Sequence, residues 1–339
     1  MHEFNLKPLP PFDFATTARF FRFTEAELVD TFEGGVYARA CWLEGKLLLV
    51  SVSSEGTTAR PSLAVTLEPA RNVTPRVRAA SEEFVGRAFS LEHDLRDFRA
   101  RVADDPLLSR LEAAHRGLRL ARWPTLFEAL AASILLQQIS TAGAWTLKRR
   151  LVERFGESAR FGGREFYAFP RPEALARAPI EEVRAVGLSN AKAAALVEMA
   201  RAVESGALDG AALACEDNET IIARLSELRG VGRWTAEWAL MLHFGRRDVF
   251  AAGDLFLRGA VAKYYNGGEA MSEREVRELA ARRWGSWQSY AAIYLLAGMR
   301  AGSVTLKPGR VLSSQARGTR RDAPESREDN SAVKRPARR

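Results

Sequence analysis

The chain has 339 residues, 47% of them apolar, and a formal net charge of +8 that comes far more from arginine than from lysine. Its length predicts two or three packed units, and its basic charge favours an anionic partner, either nucleic acid or a membrane surface. Two cysteines exclude a disulfide framework and a four-cysteine iron–sulfur cluster. No apolar stretch is long enough to span a membrane and the first residues lack a signal-peptide pattern, so we expect a cytoplasmic protein.

Three runs of apolar and β-branched residues follow one another in the first part of the chain: Val36–Leu43, Leu47–Ser53 and Leu63–Leu67. Turn-forming residues separate them, which predicts an antiparallel meander. The next segment, Thr74–Val85, has helical spacing and would pack across one face of that sheet. We therefore predict an α+β domain over residues 1–100.

From residue 101 the sequence becomes rich in Ala, Leu, Glu and Arg, with apolar residues spaced about 3.6 apart, which predicts an all-helical region over 101–307. Short turns that contain glycine, such as Gly162–Gly163, favour antiparallel helix neighbours. The predicted helical segments are Pro124–Phe155, Ile180–Gly187, Asn190–Ser205, Glu219–Leu228, Trp234–Phe244 and Ser272–Trp284.

The last residues, 308–339, consist mainly of Arg, Ser, Asp, Glu and Pro, with almost no large apolar side chains. We predict a disordered basic tail, because such a composition cannot bury a core. Two interpretations stay open: a solvated chain end, or an arm that attracts DNA by counterion release.

A Gly-x-Gly turn, Gly230 to Gly232, separates two of the predicted helices. Both glycines permit positive φ and leave room for a phosphate, which the free N–H groups of a helix beginning near Arg233 could bind. An ordinary helix–helix turn closed by glycine would look the same. The distinguishing feature is the continuation, a loop that ends in the carboxylate of Asp254 just before another helix.

These two segments resemble the helix-hairpin-helix glycosylase superfamily, and within it the DNA-3-methyladenine glycosylase II family. The resemblance is close in Gly-Val-Gly-Arg-Trp-Thr-Ala over 230–236 and in Asp-Val-Phe over 248–250 with Asp254. It extends to Ala-Ser-Ile-Leu-Leu-Gln-Gln-Ile-Ser over 132–140 and to the segments 11–14 and 283–290. It covers about residues 10–305 and implies an α+β N-terminal domain followed by an all-α helix-hairpin-helix glycosylase domain.

By this resemblance Asp254 is the catalytic carboxylate, and the chemistry of the reaction supports that role. Cleavage of an N-glycosidic bond develops positive charge on the sugar, and a carboxylate aimed at that charge stabilises the transition state. The alternative role is a helix N-cap, because Asp254 directly precedes the apolar start of a helix. The two roles are compatible.

Relatives that also cleave the DNA backbone use a lysine at the position that Trp234 occupies here, so the resemblance implies a monofunctional enzyme. Trp234 is suited to stack on a flipped, positively charged base through a cation–π interaction, although a core tryptophan is an equal alternative. The resemblance also places Tyr294 and Leu296 at the base pocket.

Gln138 occupies the position of the family's wedge residue, which fills the gap that an extruded base leaves; the alternative is a solvated glutamine in a turn. The resemblance assigns further DNA contacts to the hairpin residues Val231, Arg233 and Thr235, together with Gly230 and Gly232. It also implies a monovalent cation bound by the backbone carbonyls of Ser226, Leu228 and Val231. The four histidines lack ligand spacing, so we expect no transition metal and no other cofactor.

The function implied is a monofunctional glycosylase that releases alkylated bases, such as 3-methyladenine and 7-methylguanine, from double-stranded DNA in base excision repair. We expect a monomer that associates with the nucleoid and not with a membrane. Two alternatives stay open. A glycosylase for oxidised or deaminated bases is disfavoured by the missing iron–sulfur cysteines, and a catalytically silent DNA-binding protein is disfavoured by the presence of Asp254.

Overall fold

A computed structural model describes residues 1–21 and 27–306 of the chain, so the predicted tail at 308–339 lies outside the described residues. The N-terminal part contains a five-stranded antiparallel sheet with the strand order β1-β5-β4-β3-β2. The strands are β1 (His2–Leu6), β2 (Thr31–Glu33), β3 (Val36–Leu43), β4 (Lys46–Ser54) and β5 (Leu63–Glu68). The three predicted strands are confirmed, whereas β1 and β2 were not predicted.

Two-residue turns set the register of this sheet. Gly34 and Gly35, both with positive φ, join β2 to β3, and Glu44 and Gly45 do the same between β3 and β4. Positive φ at both central residues is the geometry of a type I′ turn, whose twist matches that of the flanking strands. Three of the four positions are glycine, whose missing Cβ removes the steric penalty of that conformation, and Glu44 adopts it with φ +49°.

Most of the remaining chain is helical. The helix predicted from Thr74 is confirmed as α2, whose first turn Thr74 caps by accepting a hydrogen bond from the Val77 amide. The helices are α1 (Phe14–Phe21), α2 (Pro75–Ala88), α3 (Arg96–Val102), α4 (Leu108–Ala114), α5 (Leu126–Leu136), α6 (Thr141–Phe155), α7 (Pro172–Ala176), α8 (Ile180–Ala185), α9 (Asn190–Glu204), α10 (Gly210–Ala214), α11 (Asn218–Ser226), α12 (Arg233–Ala239), α13 (Leu255–Tyr265), α14 (Glu273–Trp284) and α15 (Gln288–Arg300). The predicted fold class is confirmed in outline.

The prediction that everything after residue 100 is helical is wrong in one segment. Strands β6 (Ser158–Phe161) and β7 (Arg164–Tyr167) form an antiparallel hairpin around Gly162 and Gly163. Both glycines have positive φ, so this is a hairpin turn and not the helix–helix turn predicted. The hairpin packs against the five-stranded sheet and forms an apolar cluster separate from the main core. This cluster consists of Ala38, Ala40, Leu49, Phe161, Phe166 and Ala168.

Two predicted helices also change character along their length. The segment Pro124–Phe155 is two helices, α5 and α6, separated by residues 137–140, which we call the wedge turn. Ser140 caps α6 by accepting a hydrogen bond from the Gly143 amide. The segment Trp234–Phe244 begins as α12 and continues as one turn of π-helix over Leu240–Phe244, a local change that is frequent at functional sites.

One apolar core extends from Phe4 to Val304, so the sheet and the helices share buried contacts. The domain boundaries predicted near residues 100 and 307 stay predictions. Among the described residues, no helix combines the length and the apolar character needed to cross a bilayer.

A buried cluster of charges joins the sheet to the helices. Arg39 of β3 binds Asp30 at 2.8 Å and also binds Glu128 of α5. Lys148 of α6 binds Glu27 at 2.8 Å and lies 3.8 Å from Asp30 and 3.9 Å from Glu128. Although burial acts to raise it, the charges of Arg39 and Lys148 hold the pKa of Asp30 below its usual value. Because buried charges are costly without partners, this cluster constrains how sheet and helices meet.

Candidate active site

A cavity of about 790 Å³ opens between the helices and is lined mainly by apolar and aromatic side chains. Its one carboxylate among the described residues is Asp254. The lining residues are Phe20, Phe21, Ala121, Trp123, Ser133, Leu136, Gln137, Gln138, Ile139, Ser140, Thr141, Trp234, Trp238, Leu242, Gly253, Asp254, Leu255, Phe256, Ile293, Leu296, Met299 and Arg300. A concave apolar site with a few polar groups is the usual form of a small-ligand pocket.

Asp254 is the N-cap of α13. Its Oδ1 atom accepts hydrogen bonds from the amides of Phe256 and Leu257, each at 3.0 Å. The side chain is half-buried, and that burial raises its pKa, although the two amides and the Trp234 side chain act in the opposite direction by hydrogen bonding. Within residues 1–21 and 27–306 no lysine or arginine forms a salt bridge with it. The predicted N-cap role is therefore confirmed, and the charge of Arg258 acts on the carboxylate only as the smallest of the causes that lower its pKa.

Trp234, in the first turn of α12, lies against the loop that carries Asp254. Its ring is half-buried and meets that of Trp238 edge to face, with 6.4 Å between the ring centroids. Gly253 allows the loop to approach, since a Cβ built there would lie 3.2 Å from the Trp234 Cβ and 3.3 Å from its Cδ1. The carboxylate and an aromatic face thus line the same cavity.

The turn between α11 and α12, residues 227–232, is the predicted hairpin. Gly230 has φ +76°, and a Cβ built there would lie 3.0 Å from the Cβ of Ala195. Gly232 does not use the positive φ that glycine permits: its φ is −102°, an extended conformation at the N-cap of α12. The space around Gly232 is open, however, which suits an approaching phosphate.

Three residues predicted to contact DNA from the hairpin have other partners in the structure. Val231 is 5% exposed and its amide donates to the Leu228 carbonyl at 3.1 Å, so that N–H group is not free. Thr235 is 1% exposed and its hydroxyl accepts a hydrogen bond from Gln137, so its direct contact with DNA stays a prediction. The Arg233 guanidinium binds Glu219 at 2.9 Å, so it must exchange that partner for a phosphate.

The wedge turn places Gln138 at the mouth of the cavity. Gln138 is exposed and has φ +58°, a conformation that few residues other than glycine adopt. Ile139, next in the turn, is 41% exposed, and Leu255, which also lines the cavity, is 75% exposed. The structure therefore brings Gln138 together with Asp254 and Trp234 at one cavity.

Of the two α15 residues predicted to line the base pocket, Tyr294 and Leu296, only one lies at the cavity. Leu296 lines the cavity. Tyr294 is fully buried in the core, where its ring packs 5.0 Å from that of Phe98 and its hydroxyl donates to the Leu118 carbonyl at 3.3 Å. Tyr294 is therefore not part of the cavity lining. The side chains of Tyr294 and Leu296 point in different directions because they are two residues apart and a helix turns about 100° per residue.

Several residues of the site were not predicted. Trp238 follows Trp234 by four residues, and that spacing on one helix face could have identified it. Gln137 and Lys192 are also new: Gln137 contacts the hairpin, and Lys192 of α9 contacts the carbonyls of the wedge turn. No local signal identifies Lys192, because its partners lie more than 50 residues away in the chain.

Within the described residues, no group of three or more His, Cys, Asp and Glu side chains could hold a metal ion. The carbonyls predicted to bind a monovalent cation belong to Ser226, Leu228 and Val231. Ser226 ends α11, where the last carbonyls have no partner within the helix. These oxygen donors fit a hard cation, although the Leu228 carbonyl also accepts a hydrogen bond from Val231.

Two family models match the chain. Residues 131–286 match the model described as HhH-GPD superfamily base excision DNA repair protein, and residues 3–124 match the AlkA N-terminal domain. The first match includes the hairpin, the wedge turn and Asp254, and the second includes the five-stranded sheet.

Named relatives and solved structures agree with these models. The DNA-3-methyladenine glycosylase of Bacillus subtilis is 31% identical over 229 residues, which are 68% of this chain and 75% of that protein. The solved 3-methyladenine DNA-glycosylase from Archaeoglobus fulgidus superposes with a TM-score of 0.78 at 30% identity, covering 89% of this chain and 100% of that one. The Schizosaccharomyces pombe 3-methyladenine DNA glycosylase, solved in complex with abasic DNA, superposes with a TM-score of 0.51 at 25% identity, covering 61% and 98%.

Proposed function

Because this chain belongs to the HhH-GPD superfamily of base excision DNA repair proteins, we propose that it is a DNA glycosylase that hydrolyses the N-glycosidic bond of alkylated bases. One observation carries the proposal: the carboxylate of Asp254, which has no salt-bridge partner among the described residues, lies at an aromatic cavity beside Trp234. The reaction creates positive charge on the sugar, and the cavity holds the complementary charge.

Asp254 acts on the sugar in this proposal. The two amide hydrogen bonds at its Oδ1 atom fix the carboxylate at the start of α13, so the charge is oriented before substrate binds. In its ionised form it stabilises the oxocarbenium-like transition state and orients or deprotonates the attacking water. Hydrolysis leaves the free base and an abasic site.

The enzyme is monofunctional in this proposal, because the position of the amine nucleophile holds Trp234. No lysine is found among the described residues that line the cavity. The aromatic lining instead favours a flipped base, and a cationic alkylated purine gains about 0.5–2 kcal/mol from a cation–π interaction. Bases of the 3-methyladenine and 7-methylguanine class carry that charge and leave readily.

We propose that double-stranded DNA is bound by the hairpin, because α12 begins directly after Gly232, where the surrounding space is open and a helix N-terminus can bind a phosphate. Gln138 enters the duplex from the wedge turn and fills the gap left by the extruded base. A monovalent cation at the carbonyls of Ser226, Leu228 and Val231 would stiffen the hairpin. The proposal includes a monomeric protein that acts in the cytoplasm on the nucleoid and needs no other cofactor.

The first experiment measures release of bases from methylated duplex DNA by the purified protein, without lyase treatment, beside the Asp254→Asn variant. We expect free 3-methyladenine or 7-methylguanine from the wild type, and a rate lower by about a thousandfold or more from the variant. Asparagine is an equally good N-cap, so the variant should keep its melting temperature and its affinity for DNA.

Two results would contradict the proposal. If the wild type releases no alkylated base while it binds duplex DNA tightly, then the substrate class is wrong. If Asp254→Asn loses DNA binding and thermal stability together with base release, then Asp254 is a structural residue and the catalytic assignment is wrong.

A further inference from the structure

The wedge turn and the hairpin are joined directly by one side chain. Gln137, the first residue of the wedge turn, donates from Nε2 to the Gly230 carbonyl at 2.8 Å and to the Thr235 hydroxyl at 3.0 Å. Both partners belong to the DNA-binding element, one in the hairpin and one in the first turn of α12. Gln137 therefore connects the proposed phosphate site to the residue that precedes the wedge.

A second side chain holds the same turn from α9. Lys192 donates from Nζ to the Leu135 carbonyl at 2.9 Å and to the Gln137 carbonyl at 2.7 Å. These carbonyls lie at the C-terminal end of α5, where unpaired carbonyls and the helix dipole attract a positive charge. Lys192 is half-buried, and burial lowers its pKa.

The backbone between these contacts is in an unfavourable conformation. Gln138 directly follows Gln137 and has φ +58°. A residue with a side chain keeps such a conformation only when its surroundings hold it there. The contacts of Gln137 and Lys192 hold the backbone immediately before it, together with the bond from the Gln137 amide to the Ile134 carbonyl at 3.3 Å.

We propose that Gln137 and Lys192 are positioning residues that couple the hairpin to the wedge turn, so that docking of the hairpin on the DNA backbone sets how Gln138 enters the duplex. The inference rests on the proposed function. Gln137 does not act as a catalytic residue in it, since its amide is engaged by Gly230 and Thr235. The alternative is that these hydrogen bonds only stabilise the fold.

The test compares Gln137→Leu and Lys192→Met with a matched control, Gln288→Leu. Gln288 also donates from Nε2 to two carbonyls, those of Asp248 and Gly285, but it does not line the cavity. Each variant is mixed at saturating concentration with a duplex that carries 2-aminopurine beside an abasic-site analogue. Its fluorescence rises when the wedge unstacks the neighbouring bases, whether or not a base is released.

We expect the fluorescence rise to shrink by about fivefold in Gln137→Leu and Lys192→Met, while Gln288→Leu matches the wild type. DNA affinity should stay within about threefold, because the hairpin itself is intact. Excision should slow by about tenfold when the lesion is paired, but by less than about threefold opposite an abasic site, where the lesion leaves the stack easily.

A merely structural role predicts a different pattern, in which both variants lose excision equally on the two substrates and the control loses as much. That result, or an unchanged fluorescence rise, overturns the inference. Failure of the proposed function gives a third result, in which the wild type releases no base from any substrate. The fluorescence measurement then still reports whether the hairpin and the wedge turn are coupled.

Discussion

The carboxylate of Asp254 and the carboxylates of the buried cluster differ in what stabilises their negative charge. Asp30 and Glu128 are neutralised by Arg39 and Lys148. Asp254 is held by two backbone amides, and no salt bridge to it occurs in the described part of the chain. In a salt bridge the positive partner offsets the negative charge of the carboxylate. Asp254 lacks such a partner among the described residues, so its charge can stabilise a positive charge that develops in the cavity. Buried charge alone therefore does not identify the active site; the nature of the partner does.

Removal of Lys148 should produce the largest change in stability. Lys148→Met leaves three carboxylates around one guanidinium, so we expect the free energy of unfolding to fall by about 3–5 kcal/mol. Asp254→Asn should change it by less than about 1 kcal/mol, because the cap is preserved. Urea unfolding followed by circular dichroism gives both values.

The matched control for Lys148→Met is Arg149→Met, one residue along α6. The side chain of Arg149 is 48% exposed and pairs with Glu153, and a surface pair of this kind contributes about 0.5 kcal/mol. Equal losses in the two variants would show that the buried cluster is not a stabilising network, and the contrast with Asp254 would fail.

Lowering the pH should reduce the excision rate through protonation of Asp254. Asp254 must be ionised to act, and burial raises its pKa. The excision rate is therefore maximal above that raised pKa and falls as the pH drops through it. The loss occurs at a higher pH than it would for an ordinary aspartate, whose pKa is about 3.9. Single-turnover rates between about pH 8 and pH 4.5 measure the position of this acid limb.

Unfolding could produce a similar loss and must be measured at each pH. Burial lowers the pKa of His243 to about 4, so below about pH 6.5 the unfolded chain binds a proton that the folded chain does not. Stability therefore decreases with falling pH. If the excision rate follows the folded fraction at every pH, the acid limb does not belong to Asp254.

The smallest expected effect concerns the hydrogen bond between Trp234 and Asp254. This bond helps to lower the pKa of the carboxyl group, so Trp234→Phe should move the acid limb to higher pH by less than about one unit. The phenyl ring keeps an aromatic face for the base, so the rate at neutral pH should fall by no more than about tenfold. An unchanged acid limb would show that the bond does not influence the carboxylate.

Much of the molecule follows from local patterns in the sequence. The three central strands, the helix from Thr74, the hairpin at Gly230 and the cap at Asp254 were all predicted, because alternation, helical spacing and capping act between residues close in the chain. The hairpin at Gly162–Gly163 was missed for the same reason, since two adjacent glycines suit either a helix–helix or a strand–strand turn.

The tertiary structure decided which candidates meet at the cavity. It placed Leu296 in the lining and Tyr294 in the core, added Trp238, and brought Lys192 to the wedge turn. Helical spacing indicates which residues share a face but not what that face meets, and hydrogen bonds across 57 and 93 residues leave no local trace. The sequence by itself determined the motif and its carboxylate; long-range packing decided what surrounds them.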